Sequence, residues 1–249
     1  GAEIVLADRG APLVVLARGP GGYARLARAL SQAQMAGKKG APRITLGELA
    51  DLAVAPVTSP PHRASSPIPG GDGWVVLTGG IAGPLACALA ADGPAAAARE
   101  LDLLVEAFGV DSVHVELWDH GDPLDSHRND ALSELALRRG VGLVATNHVR
   151  HATPAGSRLA AALAAVGARR SLDDADGWLP AGSEAHLRSG AEQDRRFARY
   201  PGVVAAAAEL GRQCAFDLAL VAPCLPPYPC PDGLSEMAFL RRLVEEGAS

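Results

Sequence analysis

Five of the seven histidines, His114, His120, His127, His148 and His151, lie between positions 114 and 151. Imidazole ligates transition metals and exchanges a proton near neutral pH, so such a crowd points to metal binding or acid–base chemistry. Asp119, His120 and Asp122 follow one short apolar run, and His148 and His151 follow another. In a parallel barrel or doubly wound sheet, ligands gather at the carboxyl ends of the strands, where two such loops would meet. The spacing contains neither H-x-H nor H-E-x-x-H, so two readings stand side by side: a metal site, or solvated loop histidines. Glu116 sits inside Ser112-Val-His-Val-Glu-Leu-Trp118. Strand alternation turns His114, Glu116 and Trp118 to one face and Val113, Val115 and Leu117 to the other. A carboxylate facing an interior needs a counter-charge, which an arginine or a cation can supply.

Other chemistries lack their residues. There is no G-x-S-x-G nucleophile elbow and no G-x-x-x-x-G-K-[ST] phosphate loop. Gly19-Pro20-Gly21-Gly22 and Gly79-Gly80-Ile81-Ala82-Gly83 precede helical patterns. Such turns either offer backbone N–H groups to a phosphate or simply satisfy tight backbone geometry.

The elements that must hold these residues show in the periodicity. Apolar, β-rich runs at Glu3–Ala7, Leu13–Ala17, Trp74–Thr78, Ser112–Trp118 and Val141–Thr146 read as strands. Helical patterns cover Tyr23–Met35, Pro84–Ala90, Ala95–Phe108, Asp125–Arg139 and Pro154–Val166. The alternation predicts an α/β fold with a parallel sheet covered by helices. Thr153 ahead of Pro154 reads as a helix cap, and Thr45-Leu-Gly-Glu48 and Ser189-Gly-Ala-Glu192 have capping-box spacing. Residues 54–73, with Pro56, Pro60, Pro61, Pro67 and Pro69, read as an exposed insertion. Pro223 to Pro231 reads as an extended connector, followed by a helix from about Leu234 to Glu246.

With 249 residues, 48% hydrophobic and 20% charged, the chain can bury one large core or a core and part of another, which excludes a disordered protein. The 28 glycines and 19 prolines follow no fixed period, which excludes collagen and solenoids. A net charge of -5 argues against a generic electrostatic grip on DNA or anionic lipid. No apolar run approaches the roughly 18 residues of a membrane span. Cys87, Cys214, Cys224 and Cys230 form no C-x-x-C pair, which fits a reduced, cytoplasmic setting. The opening Gly1-Ala2-Glu3-Ile4 has neither an initiator Met nor a secretory pattern, so a piece of a longer protein is expected.

Several ordered segments carry a resemblance. Gly1-Ala2-Glu3, Pro12-Leu-Val-Val-Leu-Ala-Arg18, Gly22-Tyr-Ala-Arg-Leu26, Leu77-Thr-Gly-Gly80 with Gly83, Val115-Glu-Leu117, Leu143-Val-Ala-Thr-Asn147 and His186-Leu-Arg-Ser189 resemble the polymerase-and-histidinol-phosphatase (PHP) domain at the N-terminus of bacterial C-family DNA polymerases. The segment from Glu116 to Asp125, Arg128-Asn-Asp-Ala-Leu132, Asp176-Gly-Trp-Leu-Pro180 and His186 to Glu192 resemble its error-prone branch, which is associated with damage-induced translesion synthesis. The resemblance covers essentially the whole chain.

That resemblance implies a distorted (β/α)7 barrel related to metal-dependent phosphoesterases. Its first strands, with their H-x-H motif, would lie ahead of Gly1. Residues 1–222 would be the incomplete PHP domain, and 223–249 a connector and first helix leading into the palm. The palm carboxylates that hold catalytic Mg2+ are absent, so no catalytic residue of polymerisation is expected here. The parent protein would act on DNA and deoxynucleotides, with a sliding clamp and mutasome accessory proteins as further partners and no membrane. In metal-competent relatives the position of Glu3 is a ligand, and the segment after Ala-Thr-Asn supplies Asp and His two apart. Here His148 and Arg150 occupy those two positions, and Pro12 and Gly80 stand where a histidine and a cysteine or other ligand are usual. An arginine has no lone pair for a metal. The resemblance therefore implies a vestigial site for Zn or Mn, with Glu3, Glu116 and His148 as its remaining candidate ligands. Arg150 is expected to replace the metal's charge by pairing with Glu3 or Glu116. Two rival expectations are an active metal-dependent phosphoesterase or proofreading exonuclease, and a non-enzymatic module that docks polymerase partners through 54–73.

Overall fold

A computed structural model describes residues 1–57, 71–175, 177–179, 182–217 and 228–248. Most of the expected proline-rich insertion (58–70) and much of the expected connector (223–227) lie outside the described residues. The chain divides into two compact units, Gly1–Phe216 and Asp217–Ser249.

The first unit is a mixed α/β fold built on a five-stranded sheet in sequential order: β1 (Ala2–Val5), β2 (Pro12–Arg18), β3 (Gly73–Leu77), β4 (Val113–Leu117) and β5 (Gly142–Ala145). Each apolar run forms a strand within two residues of its expected ends. The expected all-parallel arrangement is corrected: β1 and β2 pair antiparallel, as do β2 and β3, and only β3, β4 and β5 run parallel. For β1 and β2 the cause lies between Leu6 and Ala11, where Leu6 N–H donates to the Ala11 carbonyl at 3.1 Å and Gly10 N–H to the Leu6 carbonyl at 2.7 Å. That turn is too short for a crossover helix and can only reverse the chain.

Alternation along the strands makes two unlike faces. Ile4, Leu13, Val15, Val76, Val113, Val115 and Leu117 enter the main core beneath α1 (Gly19–Ala36), α2 (Leu46–Val54), α4 (Pro94–Phe108) and α5 (Asp125–Arg139). The other face carries Val14, Val75, Leu77 and Val144, partly covered by Leu210 of α8 (Val203–Gln213). Glu3, paired in register with Val14, and Glu116, paired with Val144, fall on this second face.

The local signals hold each helix in place. The Thr45 box closes as its spacing predicts: Thr45 Oγ1 accepts from Glu48 N–H at 3.3 Å and Glu48 Oε2 accepts from Thr45 N–H at 2.8 Å. Ser189 caps α7 (Gly190–Arg196) through Glu192 N–H at 3.2 Å, but the Glu192 carboxylate turns to His186, 3.5 Å away. The expected Thr153 hydroxyl cap does not form. Pro154–Gly156 is a single 3-10 turn ahead of α6 (Ser157–Ala168), and Thr153 instead offers its carbonyl to His151 Nδ1 at 2.8 Å. α3 (Pro84–Asp92) and α4 both begin on proline, where the missing N–H costs nothing.

The first glycine turn serves the fold. Gly22 N–H donates to Asp72 Oδ1 at 3.0 Å, so a carboxylate of the chain itself takes the N-terminus of α1. A Cβ at Gly22 would stand 2.2 Å from the Gly73 carbonyl oxygen. In the second unit, α9 (Glu236–Gly247) is capped by Ser235, and Tyr228 stacks on Phe239 at 6.1 Å. Among the described residues no helix is long and apolar enough to cross a membrane.

Candidate functional site

A pocket of about 860 Å3 opens at the carboxyl ends of β3, β4 and β5. Glu3 and Pro12 reach it from the antiparallel strands, Gly79 to Ala82 from the loop after β3, Trp118, His120 and Asp122 from the loop after β4, and His148 and Arg150 from the loop after β5. Leu163 of α6 and Trp178 complete an apolar wall. Of the four expected site residues, Glu3, His148 and Arg150 line this pocket.

Glu116 lies off the pocket wall and is 4% exposed. Its Oε1 accepts from the Thr146 hydroxyl, and its backbone N–H donates to Thr78 Oγ1 at 3.1 Å. The Trp118 indole N–H and the Gly79 N–H face the carboxyl without closing well-aligned bonds, and Oε2 is left without a partner. Burial pushes the Glu116 pKa above the ordinary carboxylate value, against the pull of Thr146 and Trp118, and the nearby Glu3 pushes it further up. Among the described residues no arginine forms an ion pair with Glu116 within 4.0 Å. Thr146, on the chain just beyond β5, was not foreseen. It is reached only once β5 is known to lie beside β4.

His148 stacks on Trp118 with ring centres 4.4 Å apart, and His120 stacks on the same indole at 5.4 Å. Arg150 donates to His148 Nε2, which fixes that nitrogen as an acceptor and the ring as neutral. Burial and then the Arg150 charge push the His148 pKa below the ordinary histidine value, in agreement with a neutral ring. Among the described residues Arg150 forms no ion pair with Glu3 or Glu116 within 4.0 Å, and its recorded partner is His148, two residues away along the chain.

A polar frame holds these loops. Asp125, at the start of α5, accepts from His120 N–H at 2.8 Å and Asp122 N–H at 3.0 Å and pairs with Arg128. Asn129 Nδ2 donates to the Trp118 carbonyl at 2.8 Å, and His120 Nε2 meets the Asn147 carbonyl at 2.9 Å. The side chain of Arg188 is fully buried and donates to the carbonyls of Asp119 at 3.0 Å and Glu184 at 2.8 Å, with Gln193 Oε1 at 3.1 Å. The other histidines stand apart: His127 is exposed on α5, His114 packs against Gly142, and His151 bridges to His186. Asp119 pairs with Arg196 at 2.7 Å.

These residues do not fit a divalent cation. The His148 lone pair is occupied by a guanidinium, and Glu116 is buried against a hydroxyl. Among the described residues no three His, Cys, Asp or Glu side chains stand where one ion could hold them.

No family model matches the chain. Proteins similar to it along nearly its whole length carry the name of DNA polymerases. More particularly, an "Error-prone DNA polymerase" of Mycolicibacterium paratuberculosis is 50% identical over 240 residues, which is 96% of this chain and 20% of that protein. Those of Mycobacterium tuberculosis H37Rv (49% identical) and Nocardia farcinica (45% identical) match the same shares of the two chains. The chain thus spans about a fifth of the length of these relatives.

Proposed function

We propose that this chain is the PHP-type portion of an error-prone C-family DNA polymerase and acts as a scaffold rather than as a phosphoesterase. One observation carries the reading: about half the residues across 96% of the chain are identical to those of polymerases bearing that name. The arrangement supports the structural role, because two of the candidate ligands, His148 and Glu116, are engaged by Arg150 and Thr146 within the protein. In this proposal the whole protein adds deoxynucleotides to a primer end, past damaged template positions, using two Mg2+ ions held by carboxylates outside this chain. In this proposal the (β/α)7-type barrel supports the palm, to which 223–249 leads.

The test has two arms. The whole protein is assayed for Mg2+-dependent primer extension across an abasic template, and its Zn and Mn content is measured after purification without chelator. Extension with no retained Zn or Mn is expected. Hydrolysis of a nucleotide ester that depends on Mn2+ and is lost in His148→Ala would instead establish the phosphoesterase or proofreading reading.

A further inference from the structure

α2 buries Leu46, Leu49 and Leu52, and α4 buries Leu101 and Leu104, as helices that cover a core do. α6 does the opposite. Its sequence, Ser157-Arg-Leu-Ala-Ala-Ala-Leu-Ala-Ala-Val-Gly-Ala168, is apolar nearly all round, yet Ala165 is its only buried residue. Leu159, Leu163 and Val166 are 65%, 62% and 72% exposed. Spacings of four and three residues put them in one stripe along the helix. The apolar surface continues past α6, because Ala160, Leu163 and Ala164 share the pocket wall with Trp178, itself 61% exposed. A helix that is apolar on nearly every side belongs in an interior, and a monomeric protein rarely leaves such a contiguous surface in water. Guanidinium groups flank the stripe: Arg158 in the first turn of α6, and Arg169 and Arg170 just past the last. All three are exposed and form no ion pair among the described residues, and Arg170 meets only the Asp174 backbone carbonyl, at 3.5 Å.

We infer that the α6 stripe and Trp178 form a docking surface that, in the whole protein, is covered by a segment of the same polypeptide lying outside residues 1–249. That segment brings an apolar face with acidic residues at its edges, which answers both the stripe and the three flanking arginines. The length of the relatives favours this occupant: the chain spans about a fifth of them, so most of such a protein lies elsewhere in the same molecule. A tethered segment meets the surface at an effective concentration that can reach the millimolar range, which a second copy or a separate partner does not match. The inference rests on the reading of this chain as the scaffold portion of a longer polymerase, and it adds which surface the remainder grips.

The test is made on the whole protein. Leu163→Cys places a thiol on the stripe, and its alkylation by a maleimide is followed by peptide mass spectrometry in the native protein and in urea. Modification slower in the native protein by about tenfold or more is expected, in the monomer fraction and at every protein concentration. A thiol that reacts at its unfolded rate overturns the inference. Protection that appears only as concentration rises assigns the surface to a second copy and overturns it too. Leu159→benzoylphenylalanine then identifies the occupant by photo-cross-linking. A cross-link to a peptide of the same molecule from outside 1–249 is expected, whereas cross-links only within 1–249, to a second copy or to a separate protein refute the assignment. Arg158→Glu with Arg169→Glu should speed alkylation of the Leu163→Cys thiol, and Arg158→Lys with Arg169→Lys should not. Equal rates in the two pairs refute the acidic edges. Primer extension separates this inference from the reading beneath it: extension with an unprotected thiol fails the docking surface alone, and protection without extension fails the polymerase reading alone.

Discussion

Glu116→Gln tests whether the buried carboxyl is held at a cost. In the folded chain burial and Glu3 raise the Glu116 pKa above its ordinary 4.5, against the opposing donors of Thr146, Trp118 and Gly79. Between 4.5 and that raised value the folded state therefore binds more protons than the unfolded state. Stability must fall as pH rises through this window and level off above it. One proton bounds the slope at about 1.4 kcal/mol per pH unit, and with about 2–4 °C per kcal/mol for a domain of this size the melting temperature falls by up to roughly 3–6 °C per unit. Glutamine has nothing to titrate there, and its carbonyl can still accept from Thr146. The variant should melt above the parent at pH 8, with the gap closing as pH approaches 4.5. Thermal unfolding followed by circular dichroism in half-unit steps measures the difference, and the shared histidine titrations cancel in it. Parallel profiles, or a variant less stable at every pH, would refute the claim that an ionised Glu116 burdens the fold.

Other perturbations separate the frame from the site. Thr45→Ala removes a closed capping box and should cost about 1 kcal/mol, read as a fall of about 2–4 °C in melting temperature. Arg188→Ala strips the donors from Asp119, Glu184 and Gln193 inside the fold, and urea unfolding should show a loss of about 3–5 kcal/mol. Gly22→Ala drives a methyl group into the Gly73 carbonyl and should cost about 1–3 kcal/mol in the same assay, with more of the loss in the sheet than in α5 by hydrogen exchange.

The strands were legible because each is a short apolar run set apart from the longer helical patterns, as in Gly73-Trp-Val-Val-Leu77. Their directions were not, because alternation reads the same whichever way a neighbour runs. For β1 and β2 the tight Leu6–Ala11 turn decides it. α8 escaped notice since Val203-Val-Ala-Ala-Ala-Ala-Glu-Leu210 offers two well-buried side chains, Val203 and Leu210, at its ends and a featureless alanine stretch between them. The pocket's membership was legible through strand ends and family resemblance. Its internal contacts were not: Thr146 meets Glu116 across a strand pair, and Arg150 prefers the ring two residues before it to either carboxylate.

A cation in such a pocket would satisfy three demands at once: positive charge, acceptance of lone pairs and occupied volume. In the scaffold reading proposed above, separate residues meet them. Arg150 brings the charge and spends it on the His148 lone pair, Thr146 satisfies one oxygen of Glu116, and Trp118 fills the space above Gly80. Because the three roles sit on different side chains, no single substitution reverses them. Removing Arg150 frees a nitrogen but leaves the ring in place, while removing Trp118 opens a space still faced by a guanidinium. The energetics of this site are therefore coupled and must be read from double variants rather than from single ones.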